Sequence, residues 1–329
     1  MLKRRLGKLK WRALELRSQL FRNHVPPHQG LEEHGLSGYQ IYPNGGNLTL
    51  DFFTQPSEQY PKIIDKTTPI TSIGSCFAVE IRHHLRDAKF NFISTKDSWA
   101  GSADWGRVYT TKNLLQIFQY SFTEFLPEIR VCHSPKGYFD PYREGPYYPS
   151  EDEAEKGLLE HYEESRQALT ACKVLIVTPG QNEAWIDQSD DLAWAHKPPP
   201  ESFDTYGETR FCIKRFSLAE NIENLRASLS LLWANNPDAQ VIFTVSPVPS
   251  DATFHDTNVA VRSFENKAIL LLAVKEVISQ NPGRAHYFPS FEMSILSHNW
   301  NLQLDNRHVR PNVVDGIMDC FDQRFVVSG

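Results

Sequence analysis

Residues 69–81 read PITSIGSCFAVEI. Ile70, Thr71 and Ile73 give a short β-branched run that stops at Gly74, and a helical period begins within two residues of that glycine. A strand that ends in Gly-Ser and passes straight into a helix is a repeating unit of parallel α/β architecture. Working outward, four more runs have the same buried-strand character: KFNFIS (89–94), CKVLIVTPG (172–180), AQVIFTVSPV (239–248) and RAHYFPSF (284–291). Helical periods fall between and around them, near residues 77–88, 111–125, 151–170, 217–235, 260–280 and 311–327. This alternation predicts five parallel strands with helices on both faces and right-handed crossovers. Ligands of such sheets sit beyond the carboxyl ends of the strands, which directs attention to the residues after PITSIG, LIVTPG and TVSPV. Two aromatic, proline-rich stretches, 133–150 and 187–212, are too long for tight connections and read as functional or mobile loops.

Hydrophobic residues make up 40% of the 329-residue chain and charged residues 22%, so a sizeable core is available and wholesale disorder is excluded. No apolar run is long enough to span a membrane, and the first residues lack a signal-peptide core, which reads as a soluble, cytoplasmic protein. The net charge of -6 is unevenly spread: residues 1–24 carry eight Lys or Arg against one Glu, leaving 26 basic against 39 acidic residues elsewhere. An acidic body is a poor match for nucleic acid. Leu2, Leu6, Leu9, Ala13, Leu16 and Leu20 would form one stripe of a basic amphipathic helix over residues 1–24. Such a helix suits an anionic membrane surface or an acidic protein partner, or packs on its own domain. Residues 25–65 read as a connector and residues 66–329 as the main domain. Five cysteines without a CxxC pair argue against a disulfide framework or a zinc ribbon.

Three segments carry candidate chemistry. Ser75 and Cys76 stand at the strand-to-helix turn, where backbone N–H groups and the helix dipole favour a thiolate or an oxyanion. The plainer reading makes Ser75 a helix cap and Cys76 a small buried hydrophobe. Asn182 follows the LIV strand, where a side-chain amide would suit an oxyanion, although Asn and Gly are also ordinary turn residues. Asp305 precedes His308 by three residues, a spacing that lets the carboxylate hold Nδ1 and leave Nε2 as a base. It is also the spacing of a simple surface pair. His83 and His84, adjacent on a helix, point apart and read as surface or packing residues.

The order of these segments, with GSCFA itself at residues 74–78, resembles the GSCFA family, which is similar to a branch of the SGNH or GDSL-type esterases. Gly106-Arg107-Val108-Tyr109-Thr110, Gly180-Gln181-Asn182-Glu183-Ala184-Trp185, residues 244–249 (TVSPVP) and residues 287–292 (YFPSFE) add to the likeness, which spans roughly residues 65–325. The resemblance implies a three-layer α/β/α sandwich of flavodoxin type and an acyl-ester hydrolase or acyltransferase working through a covalent acyl-enzyme, with no metal or organic cofactor. It implies Asp305 and His308 as the catalytic pair, Asn182 and Gly106 at the oxyanion, and Glu183 where Asp is usual. The GDSL register places the nucleophile two residues after Gly74, at Cys76, with Ser75 as the alternative. A thioester at Cys76 would lean toward acyl transfer as well as hydrolysis. By analogy, an acylated glycan or glycoconjugate is the expected substrate. The contrasting expectation is a noncatalytic binding or scaffold module recruited to a membrane or partner by its basic helix.

Overall fold

The computed structural model describes residue 36 and residues 38–42, 48–55, 60–95, 101–297 and 302–327. The expected basic helix over 1–24 lies outside the described residues, as does much of the connector.

The chain enters β1 (Ile70–Gly74) and turns at once into α1 (Cys76–Asp87). After α2 (Thr111–Phe122) come the short strands β2 (Cys132–Ser134) and β3 (Gly137–Phe139). Then follow α3 (Glu151–Ala171), β4 (Val174–Thr178), β5 (Glu183–Asp187), β6 (Leu192–Ala193), α4 (Pro200–Tyr206) and β7 (Phe211–Arg215). The chain closes with α5 (Leu218–Asn235), β8 (Gln240–Phe243), α6 (Val259–Ser279), β9 (Ala285–Tyr287), α7 (Ser290–Leu296) and α8 (Pro311–Phe325).

β1, β4, β8 and β9 form one parallel sheet in that spatial order, with Gly74 opposite Thr178 and Phe243 opposite Tyr287. Alternate residues of each strand serve opposite faces. Leu175, Val177, Val241 and Phe243 pack with α2, α3, α5 and α6 on one side. Val174, Ile176 and Ile242 pack with α1 and α8 on the other. The result is three layers, and burial on both faces explains why these strands read as continuous apolar runs.

The expected count of five strands needs correction: KFNFIS contributes a single bridge, Phe92 to Ile70, at the edge of β1. Ser102 takes the next place, accepting from and donating to Ser72, and Val108 N–H donates to Gly74 O. Three short pieces thus share an edge that one strand was expected to fill, while the position keeps the flavodoxin-type order. Gly74 has no alternative here, because a Cβ on it would lie 2.5 Å from Thr178 O.

The two long loops are also more ordered than expected. β2 and β3 form an antiparallel hairpin, and β5 pairs with β6 and β7 in a small antiparallel sheet. Tyr142, Tyr162, Trp194 and Phe211 bury their rings between these pieces. Most of the aromatic residues of 133–150 and 187–212 therefore form a second core against α2 and α3.

Ser217 caps α5 in a complete capping box with Glu220. Replacing Ser217 by Ala is expected to lower stability by about 1 kcal/mol, read as a shift in the urea unfolding midpoint at unchanged slope. No described helix is long and apolar enough to cross a membrane.

Candidate active site

The carboxyl edge of the parallel sheet is tied together by backbone hydrogen bonds. Ser75 N–H donates to Thr178 O (2.9 Å), Ser246 N–H to Pro179 O (2.9 Å), and Gly180 N–H to Tyr109 O (2.8 Å). A cleft of about 330 Å³ opens at this edge, and Cys76, Arg107, Tyr109, Gln181, Trp185 and His308 are among its lining residues.

Ser75 and Cys76 have separate fates. Ser75 is 1% exposed and caps α1, its Oγ accepting from Phe77 N–H at 3.4 Å. Cys76 is the first residue of α1, is partly exposed, and lines the cleft. Burial pushes the Cys76 thiol up from its ordinary range, opposed by the positive charges of Lys267, Arg107 and Arg307. A thiol held mainly protonated needs a base before it can attack.

His308 stands in a tight loop closed by the Leu302–Val309 bridge, with Asn306 at a left-handed φ of 59°. Asp305 folds back on this turn: Oδ1 accepts from the N–H groups of Arg307 and His308, and Oδ2 lies 2.5 Å from His308 Nδ1. Engagement of Nδ1 leaves Nε2 as the atom available to the cleft that His308 lines. The His308 hydrogen bond, followed by the two backbone donors, draws the Asp305 carboxyl down to about 2. A carboxylate whose folded-state value lies below its unfolded one stabilises the loop above the unfolded value, and loses that effect as pH falls toward about 2. Asp305 therefore stays ionised throughout the neutral range.

The two expected oxyanion residues sit differently. Asn182 is fully buried, its Nδ2 donates to Phe216 O (3.1 Å), and its own carbonyl accepts from Phe216 N–H, so it ties the turn after β4 to the end of β7. It is not among the cleft-lining residues, whereas its neighbour Gln181 is. Gly106 also stands back from the cleft. Its φ of 63° presses it against Glu144, where a Cβ would lie 2.2 Å from the carbonyl oxygen, and it is Arg107 that lines the cleft. Glu183 accepts from Thr253 Oγ1 (3.0 Å) and so anchors the loop after β8.

Sequence reasoning passed over the cations. Arg107 binds Glu144 through Nε (2.7 Å), its backbone N–H (3.0 Å) and Nη2. Arg307 donates to Pro249 O and pairs with Asp251. Lys267, on α6, is buried and donates to Gly180 O at 2.6 Å. Arg107 and Arg307 adjoin Gly106 and His308, in segments the sequence had singled out for other residues, whereas Lys267 reaches the site from α6, where spacing offered no signal. Among the described residues no three His, Cys, Asp or Glu side chains gather as a metal site.

Fold and site together define a three-layer α/β/α protein with a cysteine and an Asp–His pair at one cleft on the carboxyl edge of its sheet. The GSCFA family matches residues 69–321, and the chain belongs to that family. No curated protein matches it. Among solved structures it is similar to an acetyl esterase mutant with acetate ion at 12% identity, covering 77% of this chain and 93% of that one with a TM-score of 0.34. A carbohydrate esterase family 3 protein from Talaromyces cellulolyticus is similar at 12% identity, covering 78% and 94% respectively, with a TM-score of 0.33.

Proposed function

We propose that the protein is an acyl-ester hydrolase or acyltransferase that works through a thioester on Cys76. The observation that carries this reading is that Cys76, at the start of α1, and His308, oriented by Asp305, line one cleft while Ser75 is buried as a cap. His308 Nε2 takes the thiol proton as Sγ bonds to the ester carbonyl carbon. The oxyanion is met by the Cys76 backbone N–H at the helix N-terminus and by the Gln181 amide. Collapse breaks the ester C–O bond, and the imidazolium returns the proton to the leaving oxygen. Water or an acceptor hydroxyl then gives its proton to His308, attacks the thioester, and frees the thiol. Gly106 and Asn182 act one step back, by shaping the loops that carry Arg107 and Gln181.

An acylated glycan or glycoconjugate is the substrate we favour. Trp185 is partly exposed, and Trp185, Phe254 and Lys197 line the same cleft as Cys76. Trp185 and Phe254 meet edge-on at 5.3 Å, an apolar ledge suited to a sugar face. A second reading, a noncatalytic binding module, is favoured by the burial that keeps the Cys76 thiol protonated.

Intact mass after brief exposure to an activated acyl ester separates the two. An enzyme gains one acyl mass mapped to Cys76, and the gain is lost in His308→Ala. Acylation elsewhere, or none at any pH, supports the binding module.

A further inference from the structure

The loop that carries His308, residues 302–309, is closed on itself. Leu302 and Val309 pair across its base and pack into the apolar cluster shared by α1 and α8. Above that base Gln303, Leu304, Asp305 and Asn306 are exposed. The hydrogen bonds of the loop run inward: Gln303 N–H donates to His308 O, Asn306 N–H to Gln303 O, and Asp305 Oδ1 accepts from Arg307 and His308 N–H. Such contacts shape the turn without fixing where it stands over the cleft. Arg307 is the exception. Its Nε and Nη2 each donate to Pro249 O at 3.2 Å, and its Nη1 pairs with Asp251 Oδ1. Among the described residues, no other hydrogen bond or ion pair joins 302–309 to a residue beyond Arg310.

The surface that Arg307 grips is held by other means. In the loop after β8, Ser250 N–H donates to Ser263 Oγ on α6 (2.9 Å), and Thr253 Oγ1 donates to Glu183 on β5 (3.0 Å). That loop also lends Asp251 and Phe254 to the lining of the cleft. Two nitrogens on one carbonyl oxygen fix the guanidinium plane, which a single ammonium on a flexible stem cannot reproduce. The ion pair adds little by itself, since Asp251 is exposed. We propose that Arg307 is a positioning residue, its guanidinium clamping the His308 loop to the loop after β8 and so holding the imidazole at the cleft that Cys76 lines. Asp305 sets which ring nitrogen is free, and Arg307 sets where the ring stands. The consequence for turnover rests on the thioester reading, whereas the clamp itself does not.

The test compares the full-length protein with Arg307→Met and Arg307→Lys by two measurements. Backbone hydrogen exchange, read by NMR, needs no catalysis. Without the clamp the loop opens more often, so the amides of Gln303 and His308 should exchange about tenfold faster in Arg307→Met while that of Ser250 is unchanged. Unchanged exchange at Gln303 and His308 overturns the proposal. The second measurement is the rate of Cys76 acylation by p-nitrophenyl acetate, followed by intact mass. A base displaced by about 1 Å is expected to slow acylation about 10²-fold. Because Arg307 acts through His308, Arg307→Met should add nothing to the slow acylation left in His308→Ala, followed over longer exposure. Additive losses, or faster exchange with undiminished acylation, overturn the positioning role. Arg307→Lys keeps the charge but loses the two-nitrogen grip, so both effects should persist in it, and it serves where Arg307→Met does not fold. Full native behaviour in Arg307→Lys overturns the clamp. A native protein that takes up no acyl group removes the thioester reading, and the exchange measurement then decides the clamp alone.

Discussion

If Cys76 is the nucleophile of the proposed acyl transfer, Cys76→Ala is expected to lower acyl-ester turnover by about 10⁴- to 10⁶-fold, the range seen when a nucleophile is removed from an intact catalytic unit. Ser75→Ala behaves differently. Its Oγ is committed to Phe77 N–H and lies 1% exposed, so the substitution costs a helix cap, about 1 kcal/mol of stability, and leaves turnover within about tenfold. Steady-state hydrolysis of an activated acyl ester by the two purified variants makes the comparison. A collapse in Ser75→Ala with activity retained in Cys76→Ala would reverse the assignment of the nucleophile.

Phe321→Ala is expected to lower stability by about 3–5 kcal/mol, the usual cost of emptying a buried aromatic site. Phe321 is fully buried on α8 and meets Phe288 edge-on at 5.3 Å and Phe325 at 5.2 Å. Little of the surrounding core can collapse into the gap, since Ile64, Ile317 and Phe288 are held by separate elements. The effect should reach the site. α8 begins at Pro311, three residues after His308, so its docking fixes one end of the loop that carries the Asp305–His308 pair. Urea unfolding gives the loss of stability, and a loss of turnover larger than the unfolded fraction explains shows the loop loosening. A change below about 1 kcal/mol would mean that the aromatic cluster does not anchor α8.

Much of this was open to sequence reading. The six long helices fall within a few residues of their expected positions because each has an apolar period and, for most, a capping Ser, Thr or Asn, as at Ser75, Ser150, Ser217 and Asn258. The four sheet strands were legible because a strand buried on both faces needs a continuous apolar run. The Asp305–His308 hydrogen bond was legible because three residues of spacing suffice for it. The small antiparallel sheet of β5, β6 and β7 was not: Glu183–Asp187 pairs with Phe211–Arg215 across more than twenty residues, and neither segment alternates cleanly enough to announce itself.

From its own order of residues the chain specifies the alternation of strands and helices, the turn at Gly74-Ser75-Cys76 and the local pairing of Asp305 with His308. These depend on periodicity, capping and short-range geometry, which are local properties. Which of Ser75 and Cys76 faces the cleft, which of Gln181 and Asn182 does so, and that Lys267 lies beneath them were decided only when distant elements packed. Burial and charge at a point are sums over everything folded around it, and no stretch of sequence contains that sum.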